Sequence, residues 1–198
     1  RDTTPWGVMV SEYMLQQTPV NRVLPKWNEW MERWPTPKDL AKATPAQVIS
    51  AWGRLGYPRR ALRLHAAAQI IAEDFNNKVP DDQETLQLLP GVGEYTAAAI
   101  AAFAFEHRSL VMDVNIRRLL VRAIDGQEHP KPAATAREKA RRLAVLPEKN
   151  AHVWAAATME LGALVCTSKN PSCEFCPIIG QCNWRKNGYP KTELIRKS

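Results

Sequence analysis

Apolar positions along this chain recur at three- and four-residue spacing or in unbroken runs, and nowhere alternate over the length of a strand. The first such stretch, Trp6-Gly7-Val8-Met9-Val10-Ser11-Glu12-Tyr13-Met14-Leu15-Gln16-Gln17, has no breaker after Gly7 and predicts a buried helix. Pro19 opens a second helix whose tryptophans, over 23–34, read as core; Pro35, Pro37 and Pro45 then punctuate short helical turns. A Gly-bounded loop, Gly53-Arg54-Leu55-Gly56-Tyr57-Pro58, runs into a helix carrying Arg59, Arg60 and Arg63. After a loop at 76–81, one helix ends at Leu88-Leu89-Pro90-Gly91-Val92-Gly93 and an Ala-rich one continues to about Phe105. Beyond Asp113 the pattern resumes at Ile116, Leu119, Leu120, Ala123 and Ile124 and breaks at Gly126, Pro130 and Pro132. Two further helices are predicted near 133–146 and 151–165, and the basic segment after Cys182 reads as a fraying tail. With no internal repeat, the fold class is all-α.

Two helices meeting at Pro-Gly-x-Gly make a helix-hairpin-helix, whose outward N–H groups beside a helix N-terminus favour an anion such as a nucleic-acid phosphate. Asp113, between Met112 and Val114 with Asn115, Arg117 and Arg118 behind it, has two readings: a chemical carboxylate or an ordinary N-cap. Glu12 has Val8, Met9 and Leu15 as its helical neighbours. It faces either that apolar surround, where burial raises a carboxyl pKa and keeps a proton available, or solvent. Tyr57 is exposed enough to stack on a base, with Arg59, Arg60 and Arg63 reaching phosphates, unless these arginines form a solvated helix face. His65 reads as a satisfied packing histidine.

The 198 residues suffice for a real core, and 27 Lys and Arg against 20 Asp and Glu give a net charge of +7, the footprint of a nucleic-acid partner. No apolar run approaches a membrane span and the start, Arg1-Asp2-Thr3-Thr4-Pro5-Trp6, has no signal-peptide pattern, so a soluble, intracellular protein with no membrane partner is expected. The four cysteines, Cys166, Cys173, Cys176 and Cys182, are spaced C-x6-C-x2-C-x5-C, a local metal or cluster site. On spacing alone zinc and iron–sulfur are comparable. Lys169 in the intervening loop either touches a phosphate or keeps the loop soluble.

Taken with the hairpin and Asp113, this cysteine spacing makes the sequence resemble the endonuclease III superfamily of DNA glycosylases over essentially its whole length. The resemblance implies the helix-hairpin-helix glycosylase fold. In it a six-helix barrel lobe, 1–106, carries the hairpin, and an iron–sulfur cluster lobe, 107–198, holds a [4Fe–4S] cluster on Cys166, Cys173, Cys176 and Cys182, with the active site in the cleft between them. Ser11-Glu12-Tyr13-Met14-Leu15-Gln16-Gln17-Thr18 and Gly53-Arg54-Leu55-Gly56-Tyr57 resemble motifs of the MutY-type adenine glycosylases. Tyr95 stands where strand-cutting lyases carry a lysine, which implies a monofunctional enzyme, since a Schiff base needs an amine.

By the same resemblance Glu12 protonates the leaving adenine, Asp113 is the sugar-side carboxylate, and Asn115 and Tyr95 position these groups and water. Gln17 and Tyr57 wedge into the stack vacated by the flipped base, while Gln16, Arg59, Leu89, Gly91, Gly93 and Lys169 contact DNA. The implied function is base excision repair by a monomer on double-stranded DNA, hydrolysing the N-glycosidic bond of adenine mispaired with 8-oxoguanine or guanine, in the cytoplasm or nucleoid if bacterial. A thymine glycosylase at G·T mismatches, which can share Tyr95, is the alternative. A non-catalytic DNA-binding or redox-sensing module ranks third, because a binder needs neither Glu12 nor Asp113. Ala156 departs from the Glu or Gln with which many members read the flipped adenine. The family's upstream Pro-Trp-Arg segment is missing, and the chain is expected to be trimmed.

Overall fold

The computed structural model describes residues 3–191, and every regular element among them is helical. In chain order these are α1 (Pro5–Leu15), α2 (Val20–Arg33), α3 (Pro37–Ala41), α4 (Pro45–Trp52), α5 (Arg59–Asp74), α6 (Gln83–Leu88), α7 (Glu94–Phe105), α8 (Val114–Leu120), α9 (Ala136–Val145), α10 (Ala151–Leu164) and α11 (Asn183–Lys186). Threonine and proline start several of them. Thr4, Thr36 and Thr44 each accept a hydrogen bond from a first-turn N–H, and the proline after each sits where a helix has no N–H to lose. No helix among the described residues is long and apolar enough to cross a membrane. The chain separates into two compact units, one ending at Ser109 and the other beginning at Leu110.

In the first unit α1 is the central helix, packed on α2, α5 and α7. Trp6, Val8, Met9, Val10, Tyr13 and Met14 are buried around it, and a helix enclosed on all sides carries its polar residues inward too. Glu12 is accordingly only 3% exposed. α7 is buried from Thr96 through Ala102, its alanine side chains short enough for α1 to lie close. Trp30 stands edge-on to Trp34 and Trp52, with ring centroids 4.9 and 5.4 Å away. The indole N–H groups of Trp6, Trp27, Trp30 and Trp52 each donate to a main-chain carbonyl, so large rings are buried without orphaned donors. His65 departs from expectation: it is buried, but its Nε2 has no hydrogen-bond partner.

The hairpin joins α6 to α7 through Leu89–Gly93, closed by Val92 N–H donating to Leu89 O at 3.1 Å. Gly91 is required twice over. Its φ is +86°, and a Cβ there would lie 3.0 Å from both Arg63 Cβ and Tyr13 Cε1. Gly93, with φ −94° and no atom within 4 Å of the place a Cβ would take, is constrained by neither.

In the second unit α10 packs on α8, and α8 runs into a π turn over Val121–Asp125 against which α11 rests. Gly162 permits the first contact, because a Cβ there would stand 2.6 Å from Asn115 O. Arg142, 0% exposed at its side chain, pairs with Asp125, and Arg117 grips both oxygens of Glu138 at 2.9 Å. The segment after Cys182 is not frayed in its described part. Asn183–Lys186 forms α11, and Trp184, 5% exposed, donates to Pro190 O and meets Tyr189 edge-on. The remainder of that tail, 192–198, lies outside the described residues.

Two measurements check this packing. Gly91→Ala is expected to cost about 1–3 kcal/mol in urea unfolding, the usual range for a non-glycine residue forced left-handed, while Gly93→Ala costs at most about 1 kcal/mol as a poorer N-cap. The Arg117 hydrogen bonds hold the Glu138 carboxyl below its ordinary range, partly opposed by burial. A depressed carboxyl pKa adds stability that is present above the unfolded value and lost as pH falls through the folded one. Glu138→Gln should therefore lower the Tm at neutral pH, with the gap from the parent protein closing below about pH 4.

Candidate active site and cysteine pocket

α1 ends at Leu15 rather than at Gln17, and Arg60 of α5 is the reason. Its guanidinium, in a residue 7% exposed, donates through Nη1 to the carbonyls of Tyr13, Met14 and Gln16. Through Nη2 it reaches Thr18 Oγ1 at 2.9 Å, Gly56 O at 3.1 Å and Leu55 O at 3.2 Å. The last carbonyls of a helix need donors, and here a buried side chain supplies them. Burial lowers the Arg60 pKa, with Tyr57 opposing. Arg60 is thus withdrawn from the phosphate contacts expected of it, whereas Arg59 is exposed and Arg63 lies against Gly91. Gln17 and Tyr57 follow the two turns Arg60 ties together; both are exposed, at left-handed φ values of 57° and 48°.

The same end of α1 is fastened to the hairpin. Tyr13 Oη donates to Pro90 O at 2.5 Å, and Gln16 Nε2 donates to Gly91 O and Thr96 Oγ1, each at 3.4 Å. Burial drives the Tyr13 hydroxyl pKa up, against Arg63. Gly93 caps α7 with no side-chain bond, leaving first-turn N–H groups outward beside an exposed Tyr95. Leu89 departs from the reading as a DNA contact: it is 3% exposed, part of the core, and its N–H is spent on Leu86 O. Leu88, 81% exposed, is the leucine the hairpin presents. Two adjacent leucines offer no periodicity by which a sequence could tell them apart.

Asp113 is an N-cap, of α8, and it is more tightly held than a cap requires. Its Oδ1 accepts from Ile116 N–H at 2.6 Å and its Oδ2 from Asn115 Nδ2 at 2.9 Å. Asn115 Oδ1 in turn accepts from Arg118 Nη2 at 3.0 Å, and Arg118 also donates to Gly162 O and Cys166 O. Burial is the main influence lowering the Arg118 pKa, followed by Arg122. The carboxylate keeps lone pairs to spare on both oxygens in a fixed plane. Glu12 and Asp113 belong to different units, and each is placed by its own unit's packing.

Cys166, Cys173, Cys176 and Cys182 are free thiols lining one pocket with Leu119, Val165, Ile178, Ile179 and Trp184. Among the described residues no group of three or more His, Cys, Asp or Glu side chains is arranged to hold a metal ion. Burial first, and neighbouring thiols after it, push the Cys173 and Cys176 pKa values up. Four thiols lining one pocket have the chemistry an iron–sulfur cluster takes, each giving up its proton on binding. Arg122, 1% exposed and stacked on Trp184, braces the loop by donating to Cys166 Sγ, Thr167 O and Ser168 O. Lys169 is exposed in that loop, its carbonyl accepting from Thr167 Oγ1.

Residues 10–144 match the family described as HhH-GPD superfamily base excision DNA repair protein. An adenine DNA glycosylase of Mycobacterium tuberculosis is 50% identical over 191 residues, 96% of this chain and 62% of its own. The adenine DNA glycosylase of Homo sapiens is 41% identical over 188 residues, 93% of this chain and 34% of its own. The chain thus spans less than two thirds of these relatives' length. Among solved structures, a thermostable thymine-DNA glycosylase superposes with a TM-score of 0.86 at 22% identity, covering 94% of this chain and 89% of that one. A non-covalent endonuclease III–DNA complex gives 0.81 at 20% identity, covering 96% and 88%. At such identities the likeness speaks for the fold, and with the family match it leads to one conclusion: the chain belongs to the HhH-GPD superfamily of base excision DNA repair proteins.

Proposed function

We propose that this chain is the glycosylase part of a monofunctional adenine DNA glycosylase, acting inside the cell as a monomer on double-stranded DNA where adenine faces 8-oxoguanine or guanine. The observation that carries the reading is the burial of Glu12, 3% exposed on the central helix of a chain 50% identical to an adenine DNA glycosylase. The thymine reading is weaker, since the thymine-DNA glycosylase shares the fold at 22% identity only.

Adenine is a poor leaving group unless a ring nitrogen is protonated. A carboxyl removed from water favours its neutral form, and Glu12 is the proton donor in this proposal. As the glycosidic bond lengthens, positive charge grows on the sugar. The Asp113 carboxylate, oriented by Ile116 N–H and Asn115, stabilises it while water adds at the anomeric carbon. Tyr95, with Asn115, orders that water; having no amine, Tyr95 forms no Schiff base, so strand cleavage does not follow. Gln17 and Tyr57 fill the stack the base has left, and Gln16, Arg59, the hairpin around Gly91 and Gly93, and Lys169 grip the backbone. Cys166, Cys173, Cys176 and Cys182 would hold a [4Fe–4S] cluster, which would supply a covalent tie across their loop.

Glu12→Gln keeps shape and loses the proton. Single-turnover release of adenine should fall by about 10³-fold or more, the upper part of the range for general acid catalysis, and thymine release from an otherwise identical G·T duplex should remain negligible with either protein. Adenine release that persists with an unchanged pH profile would remove Glu12 from the mechanism. Iron and acid-labile sulfide assays on purified protein should find about four of each per chain; stoichiometric zinc without iron would replace the cluster.

A further inference from the structure

Gln17 and Tyr57 stand 40 positions apart in sequence, yet the peptide group immediately before each is held by one side chain: Gln16 O and Gly56 O both accept from Arg60. The φ torsion of each residue turns about the bond that follows that peptide. Both torsions sit in the left-handed region, which bulky residues leave readily unless the surroundings hold them. Thr18 Oγ1, buried beside them, accepts from Arg60 and itself donates to Leu55 O, so the two turns are also joined directly. Trp52 closes the set by donating to Gly56 O and lying under the guanidinium, 5.2 Å from ring centre to Cζ. The outcome is a pair of exposed side chains, Gln17 and Tyr57, on a buried and common footing.

Resting on the reading of Gln17 and Tyr57 as the residues that enter the base stack, we propose that Arg60 is a positioning residue for base extrusion. It fixes those two side chains as a preset two-pronged wedge, so the ordering needed to open the duplex is complete before DNA arrives. Lysine cannot substitute, because one compact ammonium does not span acceptors on two turns as a planar fork does.

The test compares adenine release in single turnover from two duplexes, one with adenine paired opposite 8-oxoguanine and one with adenine opposite an abasic site, where no base pair has to be broken and extrusion costs less. Arg60→Lys should slow the first by about 100-fold, the scale of a misplaced positioning group, and most of that loss should be recovered on the second. A 2-aminopurine beside the target should show a matching loss of the extrusion signal. In a Gln17→Ala/Tyr57→Ala background, Arg60→Lys should add nothing further. Should Arg60→Lys fail to fold, as judged by circular dichroism, Thr18→Val removes one Arg60 acceptor and the link to Leu55, and it should give the same pattern at smaller amplitude. Equal losses on both duplexes, no loss, or full additivity with the double variant overturns the role of Arg60. A double variant that releases adenine and extrudes 2-aminopurine like the parent overturns the wedge reading itself, and the Arg60 proposal with it.

Discussion

A guanidinium enclosed by protein needs acceptors for its donors, and the two terminal nitrogens of Arg60 find them on main-chain carbonyls and one hydroxyl, while its buried Nε has none. That requirement shapes the first unit. The end of α1, the turn after it and the turn before α5 can adopt their irregular paths because their carbonyls, which no helix or sheet ladder serves, share this one cation. Remove it, and the carbonyls of Tyr13 and Met14 at a buried helix end lose this donor together, while those of Leu55 and Gly56 keep Thr18 Oγ1 and Trp52 Nε1. The segments that carry Gln16, Gln17 and Tyr57 are therefore tied to the helices they connect by one buried side chain.

The second unit repeats the device around its cysteines. Arg118 and Arg122 donate to the carbonyls of Gly162, in the last turn of α10, and of Cys166, Thr167 and Ser168, where the cysteine loop begins. Arginine suits such places because its donors radiate in one plane and remain charged at any working pH. Irregular backbone is where binding groups are displayed, and here it is fixed by side chains from the regular elements beneath.

Much of this was readable from residue pattern. Apolar spacing located the helices, prolines marked where several of them begin, and Pro-Gly-x-Gly marked the hairpin, because each of these signals is local. What escaped was long-range. Arg60 was grouped with its basic neighbours, although it stands in register with Leu64, Ala67 and Ile71 on the buried face of α5, a placement a charged residue would not suggest without knowledge of the carbonyls waiting there. Leu89 reads as a surface contact although it is buried, because at the end of α6 the helical period no longer tells which of two adjacent leucines faces the core. Trp184 folds back through contacts with Pro190 and Tyr189 that no local pattern announces. For Glu12 the neighbours permitted either burial or exposure, and packing on three helices decided it.

The encirclement of α1 also bears on how such a protein tolerates change. Glu12 shares its helix with Met9, Tyr13 and Met14, each with no exposed surface, and with neighbours on α2, α5 and α7. A substitution at any of these positions alters the medium around the carboxyl along with the cohesion of the core. Substitutions deep in the first unit would thus be felt at Glu12 as well as in the stability of the core. The surroundings of Glu12 and the cohesion of the helix bundle cannot be changed separately, because the same helices supply both.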